Sequence, residues 1–112
     1  MRDVIITGGF NVYPSDVENV LGQHPAVYDC AVIGIDDAKW GEAVHAGVQL
    51  RAGETVSESE LVAWVRQQLD PVKTPKAIHF FEALPRTANG KVSKREARQH
   101  IEQRLQLERV TT

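Results

Sequence analysis

The chain has 112 residues, 42% of them hydrophobic and 25% charged, with a net charge of -2. That length fits one small domain and leaves little room for a deep, closed active site. The composition is that of an ordinary soluble globular protein, and the charge balance argues against general nucleic-acid binding.

Val4-Ile5-Ile6-Thr7 reads as a short strand stopped by Gly8-Gly9. Pro14 suits the first position of a helix, with Asp16 and Glu18 near its positive end. Val17, Val20 and Leu21 form the apolar stripe of that helix, and Gly22 with Pro25 ends it. Val27 to Ile35 and Val44 to Leu50 read as two strands close enough in sequence to pair antiparallel. Ser57-Glu58-Ser59-Glu60 has capping-box form, and the helix it opens closes at Asp70-Pro71. A last strand spans Ala77 to Phe81. Ser93-Lys94-Arg95-Glu96 is a second capping box, opening a helix that runs to about Leu105, with residues 106–112 expected to fray. The expected fold is a single α+β domain over residues 1–112: a small central antiparallel sheet flanked by helices, preceded by a short strand.

Familiar chemical sites are missing. Gly8-Gly9-Phe10 lacks the Gly-Lys-Ser/Thr of a phosphate loop, and His24, His45, His79 and His100 are scattered, so no metal site is expected. His45 and His79 read as structural or partly exposed strand residues. Cys30 is the only cysteine, which excludes an internal disulfide; it lies in an apolar run and reads as a buried structural thiol. A reducing, cytoplasmic setting follows from that usage, and no apolar run reaches membrane-spanning length.

Three clusters carry more interest. Gly8-Gly9 leaves amides accessible and lets another chain pass close to the backbone, although a plain turn has the same signature. Phe10 and Tyr13 beside it read as core packing. Trp40-Gly41-Glu42 reads as a packed loop in which Glu42 pairs a nearby cation. Pro85-Arg86-Thr87-Ala88-Asn89-Gly90-Lys91 sets one lysine on a tight turn, where its ammonium can reach a ligand oxygen. From Arg86 onward there are seven Lys/Arg against three Glu. Spacing alone favours a solvated loop cation at Lys91.

Taken in order, these pieces resemble a known family. Asp3 to Glu18 (DVIITGGFNVYPSDVE), His24-Pro25-Ala26-Val27, Lys39 to Val44, and Leu84 to Lys91 with the basic helix behind it are similar to the C-terminal domain of the adenylate-forming enzymes. The branch they resemble most is the fatty acyl-CoA synthetases, and the likeness covers roughly residues 2–104. The resemblance implies a mobile lid domain that works with a large N-terminal adenylation domain on a carboxylic acid. ATP and coenzyme A are the implied co-substrates, and Mg2+ is expected to arrive with ATP rather than on this domain. It implies Lys91 as the catalytic residue of adenylation, and Gly8, Gly9 and Phe10 beside the tunnel for the pantetheine arm. Arg2 and Asp3 fall at the hinge, within residues 1–3; Arg2 stands where the family carries Asp or Lys. Val72 stands where many relatives have tyrosine, which weakens any role for Lys73. By itself the chain is expected to be inactive. Two other readings share these motifs: the lid of a peptide-synthetase adenylation domain, and a free-standing regulatory or binding module that docks on a separate partner.

Overall fold

The computed structural model describes residues 3–111. Arg2, expected at the hinge, lies outside them. The elements are β1 (Ile5–Thr7), β2 (Phe10–Val12), α1 (Pro14–Gly22), β3 (Val27–Asp37), β4 (Gly41–Leu50), α2 (Glu58–Arg66), a single 3-10 turn (Pro71–Lys73), β5 (Ala77–Phe81) and α3 (Lys94–Thr111). The α+β expectation holds.

The sheet is antiparallel along β2-β1-β4-β3. β3 pairs with β4 from Val27↔Leu50 to Asp37↔Gly41 and fills one edge of β4. β1, at Thr7↔Gly41, and β5, from His45↔Ala77 to Gln49↔Phe81, share the other edge end to end. β5 runs parallel to β4, because the chain returns through α2 rather than through a tight turn.

Strand alternation divides the core between two faces. On one face Val32, Val44, Ala46 and Val48 pack with Val17, Val20 and Leu21 of α1 and Leu61 and Val65 of α2. On the other, Ile33, Ile35, Phe81 and Leu84 pack with Ala97 and Ile101 of α3. Each fully buried side chain of this size contributes about 1.5–3 kcal/mol, before the entropy of ordering is set against it.

The helix starts follow from the sequence. Pro14 opens α1. Ser57 Oγ accepts from the Glu60 N–H at 3.1 Å, and Ser93 Oγ from the Glu96 N–H at 3.2 Å. The ends differ. α2 stops at Arg66, and Asp70 caps the 3-10 turn through its carboxylate, which accepts from the Lys73 N–H at 3.1 Å. α3 continues to Thr111, past the expected end near Leu105. Gln106 to Arg109 are all good helix formers, and no glycine or proline interrupts them.

Candidate catalytic and cofactor-facing sites

Gly8 and Gly9 form the two-residue turn of the β1–β2 hairpin, between Thr7 and Phe10. Their φ angles, 56° and 84°, are those of a type I′ turn, which L side chains resist. The Gly8 N–H donates to the Trp40 carbonyl at 2.8 Å. A Cβ on Gly8 would lie 3.1 Å from Trp40 Cε3, whereas one on Gly9 would meet nothing within 4 Å. Gly8 is therefore held by close packing and backbone conformation together. Gly9 needs its conformation only, and the space above it is open.

The hairpin tip and the β3–β4 turn border a mainly apolar cleft of about 210 Å³, lined by Thr7, Gly8, Phe10, Trp40, Pro71, Val72 and Lys76. Phe10 is 61% exposed and Trp40 40% exposed, which corrects the core-packing reading of Phe10 and the packed-loop reading of Trp40. Thr7, its partner in register on β1, is by contrast buried. The ammoniums of Lys39 and Lys76 lie 4.9 and 5.4 Å from the Trp40 ring centroid. Asp37 shapes this turn: its Oδ1 accepts from the N–H groups of Trp40 (2.9 Å) and Lys39 (2.8 Å), and these bonds hold its carboxyl below the usual range. Glu42 does pair with a cation, lying 3.8 Å from Arg98, and its Oε1 also accepts from the Ile6 N–H at 2.9 Å. Sequence reasoning missed Lys76 as a cleft residue and weighed Lys73 instead; Lys76 lies next to Pro75, and nothing local tells which lysine the 3-10 turn delivers to the cleft.

Lys91 sits at the far side of a three-residue loop. The Gly90 N–H donates to the Thr87 carbonyl (2.9 Å) and the Thr87 N–H to the Lys91 carbonyl (2.8 Å), with Arg86 bridged to Val92. Gly90 has φ 83° while Asn89 does not have positive φ, so this is a turn closed by a glycine bulge. The Arg86 guanidinium donates to the Gly90 carbonyl at 3.0 Å and pairs with Asp29 at 2.9 Å, fastening the loop to β3. Lys91 is exposed, and among the described residues its ammonium has no hydrogen bond or ion pair. A cation presented this way can offset charge on an incoming phosphate or carboxylate.

The two features lie at opposite ends of the β3–β4 ribbon. Trp40 follows Asp37, and the Lys91 loop is fastened at Asp29. At ~3.3 Å of rise per residue the two ends are roughly 25 Å apart, so both cannot act on one atom of a ligand at the same time.

Asp3 is tied to the body of the domain. Lys94 Nζ lies 3.0 Å from its Oδ2 and 2.9 Å from Glu18 Oε2, and the same Glu18 oxygen accepts from the Val32 N–H at 2.9 Å. Burial pulls Lys94 down, but its bonds to Glu18 and Asp3 outweigh that and raise it above the ordinary lysine value. Burial, then Glu18 and Asp29, pushes the Cys30 thiol up to about 12, so it is no nucleophile at neutral pH. Among the described residues no group of three or more His, Cys, Asp or Glu is placed to hold a metal ion. Among the described residues no helix is long and apolar enough to cross a membrane.

Comparison with known proteins agrees with this fold. The sequence model of the AMP-binding enzyme C-terminal domain matches residues 16–91. Feruloyl-CoA synthase of an Amycolatopsis species is 44% identical over 101 residues, covering 90% of this chain and 21% of the relative. ATP-bound MatB from Rhodopseudomonas palustris superposes with a TM-score of 0.83 at 39% identity, over 88% of this chain and 20% of that one. A fatty acyl CoA synthetase of Mycobacterium tuberculosis does so with a TM-score of 0.81 at 43% identity, over 88% and 19%. The chain spans about a fifth of the length of the curated relatives it matches. With the family model matching well over half of its residues, this chain belongs to the AMP-binding enzyme C-terminal domain family.

Proposed function

We propose that this domain is the mobile C-terminal part of a carboxylic acid–CoA ligase of the fatty acyl-CoA synthetase type, working beside a large N-terminal adenylation domain. In the first step a carboxylate oxygen attacks the α-phosphorus of ATP and pyrophosphate leaves. Lys91 supplies a cation between the two anions and stabilises the charge that builds in transfer. In the second step the sulfur of coenzyme A attacks the acyl carbon and AMP leaves. Gly8 and Gly9 then border the path of the pantetheine arm, with Phe10 beside it. Mg2+ comes with ATP. Asp3, with Arg2 before it, marks where the domain pivots.

The observation that carries this reading is that the two features are fastened to opposite ends of the β3–β4 ribbon. A lysine loop and a glycine turn fastened to ribbon ends roughly 25 Å apart serve one reaction centre only in turn, which a pivoting domain achieves by presenting one end and then the other. The curated relatives named as CoA synthases and ligases support the thiol acceptor.

The test measures ATP–pyrophosphate exchange by this chain alone and by the chain joined behind a large adenylation domain. Exchange is expected only from the joined protein. Exchange by the 112-residue chain alone would overturn the division of labour.

A further inference from the structure

His45 and His79, remote in sequence, meet inside the domain. Nδ1 of His45 lies 2.9 Å from Nε2 of His79, with the rings nearly parallel and their centroids 5.1 Å apart. The contact joins β4 to β5, whose ladder covers only five residue pairs. β5 is also fastened by the Lys76 N–H donating to the Val44 carbonyl (2.7 Å), the Ile78 N–H donating to Glu58 Oε2 (2.7 Å), and the Arg104 guanidinium of α3, which donates to the Phe80 carbonyl (3.0 Å) and lies over the Phe81 ring. Pro71, Val72 and Lys76, the segment leading into β5, form one wall of the cleft.

A bond between two imidazoles needs an N–H on one ring and a lone pair on the other. One added proton leaves that bond intact. A second sets two N–H groups against each other at this distance, with both rings cationic.

We propose that the His45–His79 pair is an acid-sensitive clasp: it holds β5 on β4 at neutral pH and, on double protonation, releases β5 together with the Pro71–Lys76 wall of the cleft.

The surroundings set the direction. His45 is 8% exposed, and burial, then His79, pushes it down to about 4. Asp37 on β3 and Glu58 on α2 oppose that shift. His79 is lowered by burial and then by Arg104 on α3, against Glu58 on α2. The neutral pair is therefore the closed form, and acid opens it.

Amide hydrogen exchange on this chain, corrected for intrinsic rates, tests the clasp at pH 7 and pH 4.5. The amides of Ile78 to Phe81 are compared with those of Val32 to Ile35 on β3. Acid should cost β5 about tenfold more protection than β3, the factor that one unit of altered proton affinity supplies. Parallel changes in the two strands overturn the proposal. His79→Gln keeps an amide able to bond His45 but removes one proton site, so the selective loss should shrink; an undiminished loss counts against the clasp. Glu58→Gln keeps an acceptor for Ile78 and cannot titrate, so the loss must persist there; its disappearance would assign the effect to Glu58. If His79→Gln fails to fold, ring-nitrogen titration of the unaltered chain decides. Both rings should titrate below 6.5 in linked steps, and either one titrating at or above 6.5 overturns the proposal.

Discussion

The Gly8 N–H and the Trp40 carbonyl meet at 2.8 Å, joining the β1–β2 tip to the β3–β4 turn backbone to backbone. The two glycines of that tip should respond differently to substitution. Gly8→Ala adds a Cβ 3.1 Å from Trp40 Cε3 at φ 56°. We expect it to destabilise the domain by about 1–3 kcal/mol, strain and crowding together. Gly9→Ala meets open space, and its cost should be near 1 kcal/mol, from conformation alone. Urea unfolding of the two variants checks the order; a larger loss at Gly9 would contradict it.

Gly9→Leu, in a protein that carries the large domain, should slow thioester formation from supplied acyl-adenylate and leave adenylation nearly unchanged. Single-turnover assays of each half-reaction separate the two. A normal second step removes Gly9 from the thiol's path.

Lys91→Ala should do the reverse. Loss of one well-placed charge partner typically costs about 10²–10³ in rate, and that loss should fall on adenylation. The domain's stability should be unchanged, since the side chain is exposed and its ammonium has no partner among the described residues. Equal damage to both half-reactions sinks the assignment.

Lys94→Met breaks two part-exposed ion pairs, to Asp3 and Glu18. Solvent screening limits the expected loss to about 1 kcal/mol. The lysine's value is raised in the fold, so its contribution is complete below 10.5 and fades as pH climbs through the folded value. The variant and the unaltered chain should therefore converge in stability at strongly alkaline pH, as read by thermal melts.

His45 titrates in the opposite sense. Its value is depressed from 6.5 to about 4, so the unfolded chain takes up the proton first as pH falls. Its contribution is complete above 6.5 and is lost progressively between 6.5 and 4. A drop of about 1–2 kcal/mol between pH 6.5 and 5 is expected, and His45→Gln should flatten most of it. Denaturant midpoints at constant ionic strength measure this; an equally steep fall in the variant would point to another group.

Much of the fold was legible because it rests on local chemistry. Pro14, Ser57 and Ser93 each mark a helix start that depends on one residue and its near neighbours. β2 was not legible: Phe10, Asn11 and Val12 make only three residues before the helix begins, too few to show alternation. The parallel seat of β5 depends on β4, far off in sequence, and no window along the chain contains both. The site divides in the same way. Gly8, Gly9 and Lys91 stand in compact motifs, whereas the cleft wall at Lys76 and the His45–His79 pair exist only after β5 has docked.

The fastening of the Lys91 loop has a thermodynamic consequence. Freezing a loose loop on a ligand costs about 1–2 kcal/mol for every residue ordered. Here the backbone from Arg86 to Val92 is already fixed by its own bonds and by Asp29. What remains to be immobilised when an anion arrives is one four-carbon stem, at most about 2 kcal/mol. Nearly all of the ammonium's attraction is then left for the charge that forms during reaction.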